Sequence, residues 1–596
     1  SYVPLVPRMT AVAAGITGWS PALSYHAVVA FFYCFGPLSL FLMAWVMTRK
    51  TAASFLCGLL YSLVSPSALL FPAIAADTGG VWNARRLYVL THYGAGPQVT
   101  ALALLPAAIL FLHLSLERRK PLLYLATGIS MAAVVLTNAF GAVTLAMAVL
   151  CLLCARSPGS FWRDLRLTLG ISLPAYLWIS PWLPPSLLRS MAFNAQTSGG
   201  AFPWLSPSLL AAVALLAGFV LLSRLTSGKL PVHLRFFLLF SLLLTAIPTL
   251  SYVAGWNILP QSLRYHLEME AALCLLVVFG LARFAARLPK PATTAALAVA
   301  AGLAVLQWST YRAHARELIR PPDLDQTAEY RVAQRMTELF GERRVMASGT
   351  CSLWLSVFSD TPQLSGGHEP SSPNWMQRVA VFIIYSGMNA GPRDGEIAAL
   401  WLKAFGVHGV HVPGPESHEH DKPFGNPHKF EGLLPVVWQE AGDTIYSVPQ
   451  RSASLVYVTP RSALVDKEPL HGLDVGQIER YVHAIEDPGL PLPEVTWRSS
   501  HSALIRTTLT PDQVVSVQIN HATGWRATAD GRAQPVSRDG LGLLVIQPDC
   551  SGPCEIELVY DGGLERQATR AASILAMIGV LAGLAITLRR NTRAGR

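Results

Sequence analysis

Charge is scarce in this sequence. Of 596 residues, 14% are Asp, Glu, Lys or Arg and 52% are hydrophobic, with a mean hydropathy of +0.39. A soluble protein carries about 25% charged residues, so this chain cannot coat a water-facing surface along its whole length. Intrinsic disorder and a cytosolic enzyme throughout are excluded. Cysteine is sparse as well: 8 residues rule out a small disulfide scaffold. No Gly-rich phosphate loop, nucleophile elbow or Cys/His catalytic pairing stands out. The net charge of +10 lacks an aromatic-interleaved basic face, so nucleic acid is not an expected partner.

What the chain has instead is a series of apolar runs long enough to cross a bilayer as helices. They fall at 21–47, 52–73, 98–115, 121–136, 140–154, 167–182, 207–222, 233–252, 267–282, 292–307 and 571–588. The runs 121–136 and 140–154 share the short turn Thr137-Asn138-Ala139, so that pair reads as two spans or as a re-entrant hairpin. Basic clusters at Arg49-Lys50, 117–120, 156–166, 224–229, 283–290 and 589–593 lie at alternate connections. Cytoplasmic loops carry such an excess of Lys and Arg. The connections near 77–96, 183–206 and 254–266, and all of 310–569, are then expected outside. The chain opens on Ser1 with no basic leader before its first apolar run, and the expectation is a fragment lacking a first helix and outer loop.

Four regions follow: a multi-span domain (1–309), an α/β domain (310–487), a β-sandwich (488–569) and a final helix with basic tail (570–596). In the α/β domain, 325–340 has helical apolar spacing, 344–348 is strand-like, 397–405 reads as a helix and 407–412 as a strand. Beyond 502 the pattern turns all-β, with strands at 503–509, 514–520, 526–529, 542–547 and 555–560 and turn signals at Asp530-Gly531 and Asp539-Gly540.

Cys34, Cys57, Cys151, Cys154 and Cys274 lie within spans, where a thiol acts as a small apolar group. Cys550 and Cys554 sit outside at a turn between strands and are candidates for a disulfide; Cys351 is then single and buried.

Ionisable groups at the outer ends of spans are the informative set, because charge beside lipid is costly unless it acts. One cluster is Asp77 with Arg85-Arg86 and His92-Tyr93; another is Arg264-Tyr265-His266 with Glu268 and Glu270. On a helix, Arg264 and Glu268 share one face, and His266 and Glu270 another. Arg264, His266, Arg85 and His92 are candidates to hold a lipid-linked phosphate. Asp77 and Glu268 are candidate catalytic carboxylates, acting as general base on an acceptor hydroxyl. The structural alternative is ion pairing between helices and interfacial anchoring. The stretch Ser417-His418-Glu419-His420-Asp421 with His428, and the pair His368-Glu369, look like metal ligands. Their spacing fits no closed zinc pattern, and no metal site is assigned.

The runs Val517-Gln-Ile-Asn520, Gly524-Trp525-Arg526-Ala-Thr-Ala-Asp530-Gly531 and Val536-Ser-Arg-Asp-Gly-Leu-Gly542 resemble the end module of bacterial YfhO-type membrane proteins. Tyr2-Val-Pro-Leu5 and His92-Tyr-Gly-Ala-Gly-Pro97 make the multi-span half similar to integral membrane glycosyltransferases of the GT-C type. It also resembles membrane proteins labelled 6-pyruvoyl-tetrahydropterin synthase-related, although no residue pattern suggests pterin chemistry. Together these resemblances cover most of the chain. They imply a GT-C-like polytopic α-helical membrane protein of about 11 spans with an extracytoplasmic α/β plus β-sandwich region, in a bacterial inner membrane. They further imply a polyprenyl-phosphate-linked sugar as donor, a glycan or lipid as acceptor, and room for a divalent cation. In such enzymes an acid in the first outer loop serves as base or metal ligand. Here the matching segment is residues 2–5, which would place that loop upstream of Ser1, while Asp77 belongs to the following one. Two other readings stay open: a non-enzymatic component of envelope polysaccharide assembly or export, and a transporter. The transporter has against it polar residues clustered at one membrane face and no visible inverted repeat.

Overall fold

The computed structural model describes residues 4–195, 207–285, 287, 289–319, 323–366 and 372–594. The chain folds as two compact units: Arg189–Asn194 with Pro321–Ala568, and Tyr2–Leu188 with Ala195–Arg320 and Thr569–Arg596.

The second unit is helical. Among the described residues, five helices are long and apolar enough to cross a membrane: Pro21–Thr48, Gly96–Arg118, Pro207–Thr226, Val232–Ala254 and Gly563–Ile586. Ala139–Ala155 and Pro158–Ile179 together make a sixth candidate, with their axes turned through 118°, as in a broken span or a re-entrant loop. The chain is therefore a multi-pass membrane protein. The remaining apolar runs also fall on helices, such as Pro121–Val135, His266–Ala285 and Lys290–Leu318. The run 52–73 differs from expectation. It forms Thr51–Leu63, then the short helices Ser67–Leu70 and Pro72–Thr78. Pro66 and Pro72 cannot donate into a continuing helix, and each disfavours helical backbone in the residue before it.

Leu40, Met43, Leu105, Leu112, Phe236 and Phe240 are buried in the core of this bundle. Small residues let the helices approach: a Cβ on Gly141 would stand 2.6 Å from that of Ala101. Serines bind across helices, Ser39 to the Ala103 carbonyl at 2.6 Å and Ser241 to that of Ala272 at 2.7 Å. Arg235, 4% exposed, donates to the carbonyls of Cys154, Ala155 and Ser223 at 2.6–3.0 Å. A cation satisfies orphan carbonyls at helix C-termini and matches their dipoles.

The other unit is mixed. Its first sheet has the order Val345–Met346, Gly409–Pro413, Asp443–Ser447, Val436–Glu440; the first pair is parallel and the others antiparallel. Helices accompany it, among them Ala328–Phe340, Gly349–Phe358, Trp375–Ser386 and Asp394–Ala404. Two antiparallel sheets complete the unit. One runs Arg532–Gln534, Trp525–Ala529, Gly552–Tyr560, Ser502–Leu509, Glu494–Ser499; the other runs Val536–Arg538, Leu543–Ile546, Gln513–Asn520, Val456–Pro460. Strand Gly552–Tyr560 shows the alternation that two stacked sheets require: Cys554, Ile556 and Leu558 are buried, Glu555 and Glu557 exposed. Because Val456–Pro460 joins this second sheet, residues on both sides of position 487 share one layer. Arg344 ties the layers together, donating at 2.7 Å to the carbonyls of both Phe405 and Gln518. Cys550 and Cys554 are joined in a disulfide, and Cys351 is free and buried.

Candidate functional site

The segment between Leu63 and Gly96 is bent by its prolines into short pieces, and that irregularity builds the site. Asn83 Nδ2 donates to the carbonyls of Thr78 (3.0 Å) and Gly79 (3.2 Å). Gly79 there has φ +79°, which suits glycine. Ser65 Oγ donates to the Asn83 carbonyl at 2.7 Å and accepts from the Arg85 amide. The start of the helix Arg85–His92 is thereby fixed.

Arg85 then reaches three groups. Its Nη1 pairs with Asp77 Oδ2 and donates to Thr78 Oγ1 at 3.2 Å. Its Nε donates to His266 Nε2 at 3.3 Å. His266 Nδ1 lies 2.8 Å from the Leu263 carbonyl; the proton therefore belongs on Nδ1, and Nε2 accepts from Arg85 as part of a neutral ring. Tyr93 donates its hydroxyl to both Asp77 oxygens, at 3.0 and 3.1 Å. The Arg85 guanidinium also lies over the rings of Tyr88 (5.5 Å) and Tyr93 (5.6 Å). The exposed His92 ring is 4.9 Å from Tyr88 and 5.0 Å from Tyr93. Burial by itself would raise the Asp77 carboxyl, but its hydrogen bond and charge contact with Arg85 outweigh that and hold it below the ordinary value. Asp77 is thus an ionised acceptor. Its side chain is 25% exposed and that of Arg85 7%, so the pair can be reached from the carboxylate side.

The second sequence cluster is divided. Helix His266–Ala285 begins after Arg264, which sits in the turn Ser262–Tyr265 with its guanidinium 5.7 Å from the Phe140 ring. The shared helical face expected for Arg264 and Glu268 is therefore absent: Arg264 is exposed and Glu268 buried, and among the described residues no ion pair joins them. Pro260 lies just ahead of this turn. Glu268 accepts from Gln98 Nε2 at 3.0 Å through Oε1, while Oε2 has no partner. His266 and Glu270 do lie one turn apart on the helix His266–Ala285, but they bind different partners: Glu270 accepts from Ser67 Oγ at 2.5 Å, and His266 meets Arg85.

Two residues of the first sequence cluster had no role assigned to them: Tyr93, which holds Asp77, and Arg86. Arg86 is 1% exposed, donates to the Tyr33 carbonyl at 2.8 Å and lies over the rings of Tyr33 (4.6 Å) and Tyr61 (4.2 Å). The one available signal was Gly36 inside an apolar run, where a Cβ would come within 2.9 Å of Arg86 Nη2.

Among the described residues no group of three His, Cys, Asp or Glu is arranged to hold a metal ion. The donor set around Asp77 therefore does not fit a divalent cation, and no step is routed through one. In the other unit, Glu419 has a different task. It accepts from the backbone amides of Thr350 and Cys351 at 2.9 Å each and from that of Asp421 at 3.0 Å, capping the helix Gly349–Phe358. His368 and Glu369 lie outside the described residues.

No protein-family model and no curated protein matches this chain. Among solved structures, it is similar to the arabinofuranosyltransferase AftD from Mycobacteria, with 13% identity over 93% of this chain and 52% of that one, at a TM-score of 0.43. It is also similar to ArnT from Cupriavidus metallidurans bound to undecaprenyl phosphate, with 13% identity over 76% of this chain and 89% of that one, at a TM-score of 0.41. The chain spans about half the length of the AftD structure. Similarity at this level says nothing of activity or substrate.

Proposed function

We propose that this protein is a membrane glycosyltransferase that moves a sugar from a polyprenyl-phosphate donor to a glycan or lipid acceptor. The supporting observation is the convergence of Asp77, Arg85 and His266, residues separated by 8 and 181 positions, on one half-exposed polar cluster. The GT-C-like resemblance of the multi-span half points the same way. In this reading the cluster faces outward in a bacterial inner membrane, as the alternation of basic connections expects.

The donor phosphate takes the remaining guanidinium hydrogens of Arg85 and the ring of His92, with Arg264 exposed as a further cation. Asp77 accepts a hydrogen bond from the attacking acceptor hydroxyl. A bond forms between that oxygen and the anomeric carbon, the bond from that carbon to the phosphate oxygen breaks, and lipid phosphate leaves. The hydroxyl proton passes to Asp77 and then to water. His266, as a neutral acceptor, orients Arg85.

The test uses Asp77→Asn and Arg85→Ala in membranes, with polyprenyl-phosphate-linked pentoses and hexoses as donors and extracted yield as the folding control. Both variants are expected to lose transfer at least a hundredfold with yield retained. Transfer at the wild-type rate in both would sink the assignment and favour a non-enzymatic role in envelope polysaccharide assembly or export.

A further inference from the structure

A second concavity lies wholly within the mixed unit. It has a volume of about 390 Å³ and is lined by loop residues, including Glu416, His428 and Glu431, and by the sheet residues Gln439, Thr444 and Tyr446. That is the low end of the range for small-molecule sites, which are concave, largely preformed and lined by apolar surface with a few polar groups.

The loop wall is preorganised. Gly414 donates its amide to the Gly442 carbonyl at 2.8 Å, and a Cβ on Gly442 would stand 2.3 Å from the Ser417 amide nitrogen. Beneath it, Ser417 Oγ donates to Asp443 Oδ1 at 2.7 Å, and His411 Nε2 meets the same oxygen at 3.0 Å. Lys422 holds the Pro415 carbonyl at 2.7 Å. These contacts and the Glu419 cap engage Ser417, Glu419 and Lys422. The side chains of Glu416, Gln439 and Thr444 remain at the cleft with no hydrogen-bond partner among the described residues, and Glu431 is already matched by His428 at 2.6 Å.

The free groups are a carboxylate, an amide and a hydroxyl. A carboxylate accepts from two neighbouring hydroxyls at once, and an amide both donates and accepts. Val412, Pro415, Pro427 and Val436 supply apolar lining for the CH face of a ring. No Lys or Arg is among the residues lining the cleft, so it lacks the strong cations that favour phosphate or an acidic sugar. Polyhydroxylated and uncharged, with one apolar face, is the description of a neutral sugar. We propose that this cleft binds a neutral saccharide of about one or two rings, whether or not the membrane cluster performs transfer.

The test is isothermal titration calorimetry on the whole protein in detergent, with maltohexaose and xylohexaose at millimolar concentration as probes and no donor present. At least one probe is expected to bind, with affinity weakened about tenfold or more by Glu416→Gln and by Gln439→Ala. The control Glu468→Gln, an exposed carboxylate outside the cleft, is expected to change nothing. Three results would overturn the proposal: no binding of either saccharide, equal binding by both cleft variants, or preferential binding of spermidine that Glu416→Gln abolishes. Because the assay contains no donor, failure here leaves the transferase reading standing, and loss of that reading leaves this one.

Discussion

Replacing Asp77 with Asn probes the site without changing its size. The substitution keeps an oxygen to accept from Arg85 and Tyr93 but removes the negative charge. Arg85, with a side chain only 7% exposed, is left as a mostly buried cation whose remaining partners are His266 and Thr78. Hydrogen bonds between charged groups contribute about 1.5–3 kcal/mol each. Asp77 is 25% exposed, so solvent screening discounts the pair to about 1–2 kcal/mol. The measurement is a double-mutant cycle of Asp77→Asn and Arg85→Gln, by equilibrium unfolding in mixed detergent micelles followed through tryptophan fluorescence. Asp77→Asn is expected to destabilise the wild-type background by about 2 kcal/mol, because it strands a charge. In the Arg85→Gln background it is expected to cost less than about 0.5 kcal/mol. Equal costs in both backgrounds would refute the pairing, and with it the view that Arg85 fixes Asp77 as an ionised acceptor.

Two further predictions concern the mixed unit. Burial pushes the Asp539 carboxyl up to about 7 against the bonds it accepts from Leu541 and Leu543, so the folded state holds its proton more tightly than the unfolded chain. Stability is therefore expected to be full below the unfolded pKa and to fall by about 2–4 kcal/mol as pH rises towards 7 and above. Thermal unfolding across pH 5–8 checks this, and an unchanged profile in Asp539→Asn would contradict it. Glu419→Ala removes a buried cap with three backbone amides and is expected to cost about 2–4 kcal/mol, whereas the exposed His418→Ala costs under about 0.5 kcal/mol. Differential scanning calorimetry reads both, and zinc-dependent stabilisation of the wild type would contradict the capping assignment.

What the sequence disclosed followed from periodicity and composition. The strand expected at 503–509 is Ser502–Leu509, where alternation with one buried face leaves little freedom of register; that at 514–520 is Gln513–Asn520, a short run buried on both faces. Glu494–Ser499 escaped notice: it is a short, largely exposed edge strand with only Val495 and Trp497 as apolar residues. Similarly, Pro66 and Pro72 were visible, but averaging apolarity over 52–73 concealed that they break the run. At the site, charge beside apolar runs pointed to Asp77, Arg85 and His266. Which charge meets which was not legible, since the Arg85–His266 contact spans 181 positions and depends on where the second helix starts. Glu419 was unreadable for the same reason: its partners lie 68 and 69 residues away.

Arg85 and Arg86 show where sequence reasoning ends. They are adjacent, identical and both buried, yet a helix sends consecutive residues about 100° apart, so they enter different surroundings. Arg86 is in no ion pair among the described residues, and its Nε and Nη1 have no hydrogen-bond partner. Its charge is offset by the Tyr33 and Tyr61 ring faces and by one carbonyl. A guanidinium without a direct ion pair is tolerable there because aromatic quadrupoles attract a desolvated cation, because the Glu270 carboxyl acts on it electrostatically, and because Gly36 leaves the room. Such a cation cannot be reached by a ligand; what it does is fix the helix Arg85–His92 against the bundle. Arg85 begins that same helix with a half-exposed carboxylate as its partner. The buried charge with no direct ion pair among the described residues is thus the scaffold, and the one whose counter-ion still meets solvent is the place where chemistry can occur.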